Sequence, residues 1–301
     1  MNTLTPRLAL LLTLPPLLWA GNAVAGRLMV GTVPPLALNA MRWLLAGLLL
    51  APLARGLFAR PQELLRHWRY LALAGLLGVG SYNALQYQAL HSSTPLNVTL
   101  IAASMPVWML AVGALAFRVR PTRRELLGAV LSLAGVAVVI SRGDAAALAR
   151  VHFVSGDLLM LAAVFCWSIY SWMLARPPAS MKKTGWNRDE LLMAQILFGA
   201  PLATGMAGLE FLLDGSQPIA WGPGLALALA YVAIGPSLIA YRCWGIGVAE
   251  AGPALAAFFS NLAPVFAALL SAALLGEGPQ LYHGLAFALI VAGILVPARK
   301  T

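Results

Sequence analysis

The sequence predicts an all-α integral membrane fold of ten transmembrane helices, built as two inverted five-helix repeats. Three observations predict it. Of 301 residues, 60% are apolar and 10% charged, and a water-soluble domain of that composition would expose far more apolar surface than it could hide. Ten apolar runs approach the roughly 20 residues needed to cross a hydrocarbon core about 30 Å thick. The stretch from Pro95 to Val139 is also written a second time from Gly252: Pro95 aligns with Pro253, Pro106 with Pro264 and Gly135 with Gly293, all at an offset of 158 (253 − 95). Three backbone-determining residues coinciding without a gap mark an internal duplication of a membrane unit.

In chain order, the first run covers residues 8–30. Arg7 before a string of Leu resembles a secretion signal, but the run continues through Trp19, Asn22 and Gly26 without a convincing cleavage site and is expected to remain as a helix. Runs at 34–54, 69–90, 95–117 and 124–141 complete a first five-helix repeat over residues 1–142, and a linker at 143–153 follows. The second repeat, 154–301, holds runs at 154–175, 190–213, 223–245, 253–275 and 281–297, with its longest polar connection at 176–188. In each copy of the duplicated unit an apolar helix starts at a Pro, is broken near its middle by Pro106 or Pro264, and is followed by a short turn and a Gly-bearing helix. Gly128, Ser132 and Gly135 stand at the spacing of small residues that lets helices approach closely in lipid. When the earlier helices are overlaid, Trp19 matches Trp167 and Arg42 matches Gln195.

Charge orients this arrangement. With the N-terminus placed in the cytoplasm, fifteen Lys and Arg fall inside (Arg7; Arg55 to Arg69; Arg118 to Arg124; Arg176 to Arg188; Arg299 and Lys300) and three outside (Arg27, Arg142 and Arg150), leaving Arg42 and Arg242 within spans. That is a strong positive-inside bias with both termini cytoplasmic. The net charge of +10 therefore orients the chain, and no aromatic-basic cluster points to nucleic acid. Five is odd, so the second copy enters from the opposite side; the basic turn Arg118 to Arg124 has as its partner the turn Gly276 to Gln280, which carries Glu277 and no basic residue. Cys166 and Cys243 both lie within runs and read as small apolar fillers rather than a disulfide.

Resemblance becomes specific in the duplicated unit. A central S-x-P, a turn and L-x-G-A-x-L-x-L-A-G-V, repeated as S-N-L-A-P-V, then L-L-G-E and A-G-I-L-V, resemble the EamA repeat of the drug/metabolite transporter superfamily, and A-M-R-W-L-L-A-G at Ala40 to Gly47 resembles its second helix. The likeness covers nearly the whole chain. One departure is Phe117-Arg118, where the family usually carries Gly-Glu. The aromatic residues near the centre are similar to those of YddG-type aromatic amino-acid exporters. The resemblance implies a multi-pass transporter of the bacterial inner membrane.

The side chains narrow the chemistry. Every acid sits at or near a helix end, so the usual intramembrane proton relay or cation site is missing, which favours a uniporter, facilitator or exchanger. With only Arg42 and Arg242 in spans, a phosphate dianion would go unpaired, and phosphorylated substrates are disfavoured. Arg42 reads as a gate or a structural charge, while Arg242 is expected to snorkel or pair locally, with Glu250 eight positions on. What remains is neutral, aromatic and amide-rich. Asn97, Ser104 and Trp108 share one face of the fourth helix, and Tyr82 and Gln86, with Tyr87 beside them, one face of the third. Trp19, Asn22, Trp167, Tyr170, Ser171, Tyr241, Phe259 and Asn261 complete the candidate substrate-binding set. Pro106 and Pro264 are candidate hinges, each releasing a carbonyl four residues back that could accept a bond from a substrate ammonium group.

These residues point to export of small metabolites, most readily amino acids including aromatic ones, by a monomer whose partners are its substrate and membrane lipid. No metal or cofactor is expected. Proton-coupled export of other drugs or metabolites, such as nucleobase-like compounds, stays open. An intramembrane enzyme is disfavoured because the chain lacks H-E-x-x-H, G-x-S-x-G and a paired intramembrane Asp.

Overall fold

The computed structural model describes residues 4–149, 152–213, 218–275 and 281–298, so the turn carrying Glu277, together with Arg150, Asp214, Arg299 and Lys300, lies outside the described residues. Every regular element among the described residues is helical. Six helices are long and apolar enough to cross a membrane, or seven if the pair Asn97–Ala103 and Met105–Phe117, bent by 44°, is one span. The sequence expects ten. Of the rest, Pro35–Leu50 is apolar but has only 16 residues, and Arg123–Ile140 opens on Arg123, Arg124 and Glu125. Leu48, Leu115, Val130, Leu212, Leu227 and Leu281 are each more than half exposed, which suits a surface solvated by lipid rather than water.

Local sequence sets the helix starts. Pro35, Pro95, Pro223 and Pro253 stand at first positions, where a fixed φ is pre-set for the helix and the missing N–H costs nothing. Thr122 accepts from the Glu125 backbone N–H at 3.2 Å while the Glu125 carboxylate accepts from that of Thr122 at 2.7 Å, closing a capping box. The Glu210 carboxylate accepts from the backbone N–H groups of Leu36 and Ala37, both at 3.0 Å, so an acid from a distant helix caps the one beginning at Pro35. Arg118, the departure noted above, ends its helix in the left-handed region at φ 55°.

The duplication reappears in the coordinates. The pieces Met105–Phe117 and Arg123–Ile140 correspond at an offset of 158 to Ala263–Leu275 and Leu281–Ala298 (263 − 105). Two π-helical segments obey the same offset, Gly75–Ser81 and Ala233–Ile239 (233 − 75). The helices Arg123–Ile140 and Leu281–Ala298 pack closely along their small residues. A Cβ on Gly128 would lie 2.7 Å from the Gly293 carbonyl, and one on Gly135 would lie 2.8 Å from that of Ala286. Backbones this close tolerate only small residues, as the spacing of Gly128, Ser132 and Gly135 predicts.

The buried core runs through the centre of the bundle, where Pro6–Leu28, Ser155–Ala175 and Ala240–Ala251 meet the first π-helical segment and Pro253–Ser260.

Candidate functional site

An aromatic cluster occupies this centre. Trp167, on the helix Ser155–Ala175, lies 5.3 Å from Trp19 edge to face, 5.3 Å from Tyr82, 5.2 Å from Tyr170, 5.3 Å from Tyr241 and 5.6 Å from Trp244. Trp43 extends the cluster through Tyr241 at 4.9 Å. Trp19 and Trp167, matched by overlaying the first and sixth helices, are thus in direct contact. Trp43 and Trp244 escaped the sequence reading. Trp244 lies three residues after Tyr241, on the same helical face, a signal that was available; Trp43 follows Arg42 on a helix read for its charge alone.

The two π-helical segments hold the rings in place. A π turn shifts the hydrogen-bond register and frees carbonyls. The Gly78 carbonyl accepts from the Tyr241 hydroxyl at 2.6 Å, and the Pro236 carbonyl, its counterpart 158 residues on (236 − 78), accepts from Trp19 Nε1 at 3.2 Å. Gly78 also leaves room for the Tyr170 ring, which a Cβ would approach to 2.6 Å. Tyr170 donates its hydroxyl to Gln195 Oε1 at 2.7 Å, and Trp244 Nε1 donates to Ser171 Oγ at 3.0 Å.

Two indole donors are left over. Trp167 Nε1 and Trp43 Nε1 are buried with no hydrogen-bond partner. Beside them Arg42 is 2% exposed and carries its charge among neutral groups: Nε donates to Ser237 Oγ at 2.6 Å, Nη1 to Asn22 Oδ1 at 3.4 Å, and the guanidinium lies 5.1 Å from the Trp43 ring centroid. No carboxylate pairs with Arg42 among the described residues. The ring cluster therefore keeps two unmade indole donors beside an uncompensated charge, and Asn39 Oδ1, one turn before Trp43 on the same helix, is a buried acceptor that is likewise unmade. A small cavity of about 20 Å³ lies beside the cluster, between Tyr170, Gln195, Tyr241, Arg188 and Arg242, with room for about one water.

Other expected site residues lie elsewhere or are already engaged. Asn97 donates to the His152 carbonyl and to Asp157 Oδ2, both at 2.8 Å, and Ser93 donates to the other oxygen of that carboxylate. This places Asn97 in a fastening between helix ends. Asn261 is 1% exposed and donates to the Ala103 carbonyl at 3.1 Å and to Ser132 Oγ at 2.7 Å. The break before Pro106 is thus bridged by the chain's own amide at the Ala103 carbonyl, one residue after the Ala102 carbonyl that Pro106 is expected to free for a substrate ammonium. Ser104 turns its hydroxyl to the Ile101 carbonyl at 2.5 Å, and Trp108 packs on Phe165 at 6.0 Å, away from the cluster. Phe259 is buried in the core, and Gln86 and Tyr87 are half-buried one turn beyond Tyr82. Near the second break, Ser260 Oγ is buried without a partner, and the helix is interrupted at Asn261 and Leu262 ahead of Pro264. Arg242 pairs with Asp189 at 3.1 Å, not with Glu250, which instead meets Arg7 at 3.5 Å. Among the described residues no group of His, Cys, Asp and Glu is arranged to hold a metal ion.

Known proteins share this architecture. Residues 7–141 and 154–298 each match the EamA-like transporter family. The aromatic amino acid exporter YddG of Ancylobacter novellus is 28% identical over 286 residues, covering 93% of both chains. An uncharacterized transporter of Archaeoglobus fulgidus is 27% identical over 97% of both chains. The uncharacterized inner membrane transporter YedA of Escherichia coli K12 is 27% identical over 93% of this chain and 87% of its own. A solved crystal structure, 26% identical, superposes with a TM-score of 0.75 over 97% of this chain and 96% of its own.

Proposed function

This chain belongs to the EamA-like transporter family, and from that premise we propose that it exports aromatic and other neutral amino acids across the bacterial inner membrane by alternating access. Membership makes it a multi-pass membrane transporter of small molecules; the substrate, mechanism and orientation are proposed on the observations that follow.

One observation carries the substrate class: a ring-lined centre that holds an uncompensated guanidinium and two unmade indole donors. Arg42, Trp167 and Trp43 present an unbalanced charge and two unmade N–H bonds. A buried charge or donor left without a partner is costly, so a ligand bringing acceptors is favoured. A carboxylate supplies them, and an aromatic side chain replaces the ring contacts it displaces. The relative named as an aromatic amino acid exporter supports the same reading.

Alternating access rests on ten spans arranged as two inverted halves, 1–142 and 154–301. The contacts between Arg123–Ile140 and Leu281–Ala298 support inversion. Gly128 meets Gly293, the counterpart of Gly135, while Gly135 meets Ala286, the counterpart of Gly128 (286 − 128). Such reciprocal, antiparallel pairing is what a pseudo-two-fold axis in the membrane plane produces. The hydrogen bond from Asn261 to Ala103, positions equivalent under the same offset (261 − 103), supports the same axis. The broken helices before Pro106 and Pro264 are the hinges, the chain acts as a monomer with both termini cytoplasmic, and the substrate gradient drives flux.

Proteoliposomes loaded with labelled phenylalanine, methionine or threonine test this. Saturable, protein-dependent flux that is fastest for phenylalanine and indifferent to a pH gradient is expected. Absence of flux for every amino acid overturns the substrate reading, and strict dependence on a pH gradient overturns the facilitator.

A further inference from the structure

A second polar concavity lies away from the ring cluster, at the foot of the helix that begins at Trp68. It encloses about 410 Å³, and its wall includes Arg66, His67, Arg69 and Ser180. We propose that it binds the headgroup of an anionic phospholipid, the phosphate on the two arginines and a headgroup hydroxyl on His67.

The phosphate assignment follows from charge and geometry. Arg66 and Arg69 are exposed, and no carboxylate pairs with either among the described residues. Arg69 is held with its guanidinium 5.6 Å from the Trp68 ring centroid. Two planar guanidiniums on one pocket offer the forked donors that suit phosphate oxygens.

His67 adds selectivity. The residue is 7% exposed, and its Nδ1 lies 2.9 Å from the Glu63 carbonyl and 3.4 Å from Glu63 Oε2. A carbonyl only accepts, so Nδ1 carries the proton, and in the neutral ring Nε2 is an acceptor. That Nε2 is buried without a partner. It suits a hydroxyl donor, which the glycerol of phosphatidylglycerol has and the methyl headgroup of phosphatidylmethanol lacks. Tyr70, also on the wall, already donates its hydroxyl to the Met173 carbonyl at 2.9 Å and is not a competing donor.

The surroundings argue for a lipid rather than a free anion. Leu65 is 73% exposed and Trp68 51%, both on the same wall, at the point where the chain enters an apolar helix. An exposed Trp with apolar and basic neighbours matches the headgroup level of a bilayer. Inorganic phosphate would leave those apolar groups uncovered.

The test is thermal melting of the full chain in non-ionic detergent micelles doped with phosphatidylglycerol, phosphatidylmethanol or phosphatidylcholine, or with equal inorganic phosphate in solution. Phosphatidylglycerol is expected to raise the melting temperature most, phosphatidylmethanol less, and phosphatidylcholine and phosphate little. The double variant Arg66→Gln, Arg69→Gln should lose the increment from both anionic lipids. His67→Phe should reduce the phosphatidylglycerol increment to that of phosphatidylmethanol, while Arg120→Gln, Arg123→Gln in another basic turn keeps wild-type behaviour. Equal increments from phosphatidylcholine, or an increment surviving loss of both arginines, would overturn the site. An equal increment from inorganic phosphate would overturn the lipid, and equal responses to the two anionic lipids in wild type would overturn the role of His67.

Discussion

Trp167 and Trp244 make opposite predictions when each is cut back to phenylalanine. Both are buried in the same ring cluster, at 2% and 0% exposure, so the ring area lost is similar and largely cancels in the comparison. They differ in the indole N–H. Trp244 Nε1 donates to Ser171 Oγ at 3.0 Å, and losing that bond costs about 0.5–1.5 kcal/mol. Trp167 Nε1 has no partner, and removing an unmade buried donor returns about 1–3 kcal/mol of desolvation cost. Trp167→Phe should therefore be about 2 kcal/mol more stable than Trp244→Phe, a gap of roughly 4 °C or more in melting temperature at about 2–4 °C per kcal/mol. Binding should run the other way. If the free N–H meets a substrate carboxylate, its loss removes about 1.5–3 kcal/mol, a weakening of roughly 10- to 150-fold in affinity for phenylalanine. Melting without substrate and flux KM in proteoliposomes measure the two sides. A Trp167→Phe protein that melts below Trp244→Phe and keeps wild-type KM would refute the reasoning, because the N–H would then be serving the fold.

Two further substitutions separate scaffold from site. Asn261→Leu removes the donor to the Ala103 carbonyl and Ser132 Oγ, and should lower stability by about 2 kcal/mol with KM unchanged among molecules that fold; a raised KM at unchanged melting temperature would put Asn261 in the substrate path instead. Gly135→Leu drives a side chain into the Ala286 carbonyl and Ile290, and should cost about 3 kcal/mol or more, whereas Leu127→Ala on an exposed face should change stability by less than about 0.5 kcal/mol; equal melting temperatures for the pair would mean the helices are not in close contact.

Much of the fold was legible because the features that decide it are local and unambiguous in a chain this apolar. Prolines fix where helices begin and break, and Pro95, Pro106, Pro253 and Pro264 did so in the sequence as they do in space. The small-residue face of Gly128, Ser132 and Gly135 announced its contact in the same way. The π-helical segments did not show. Nothing in the composition of Gly75–Ser81 marks a one-residue register shift, which emerges only when packing decides between i−4 and i−5 partners. At the candidate site, Trp19, Tyr82, Trp167, Tyr170 and Tyr241 were named from their helix positions and meet in space, whereas Asn97 and Asn261 bond within the fold. Asn97 and Asn261 are polar residues on apolar helices, and a sequence cannot say whether such an amide faces a cavity or, as here, a carbonyl or carboxylate of a neighbouring helix.

The energetics of the ring cluster bear on what such a transporter would select. Entry of any ligand into the centre must part rings that now touch. Trp167 alone would give up contacts with Trp19, Tyr82, Tyr170, Tyr241 and Trp244, each worth about 0.5–1.5 kcal/mol beyond the area it buries. An aliphatic ligand restores buried area but not ring-on-ring geometry; an aromatic one restores both. On the proposed substrate class, binding comes only with the opened arrangement, which would be stabilised most by a ligand that has a ring to fill it and a carboxylate to meet Arg42 and the spare indole donors. A ligand shifts a conformational equilibrium only by its preference for one state. In this molecule that preference is built from the same contacts that would set specificity, so recognition of the ring and opening of the centre are one event.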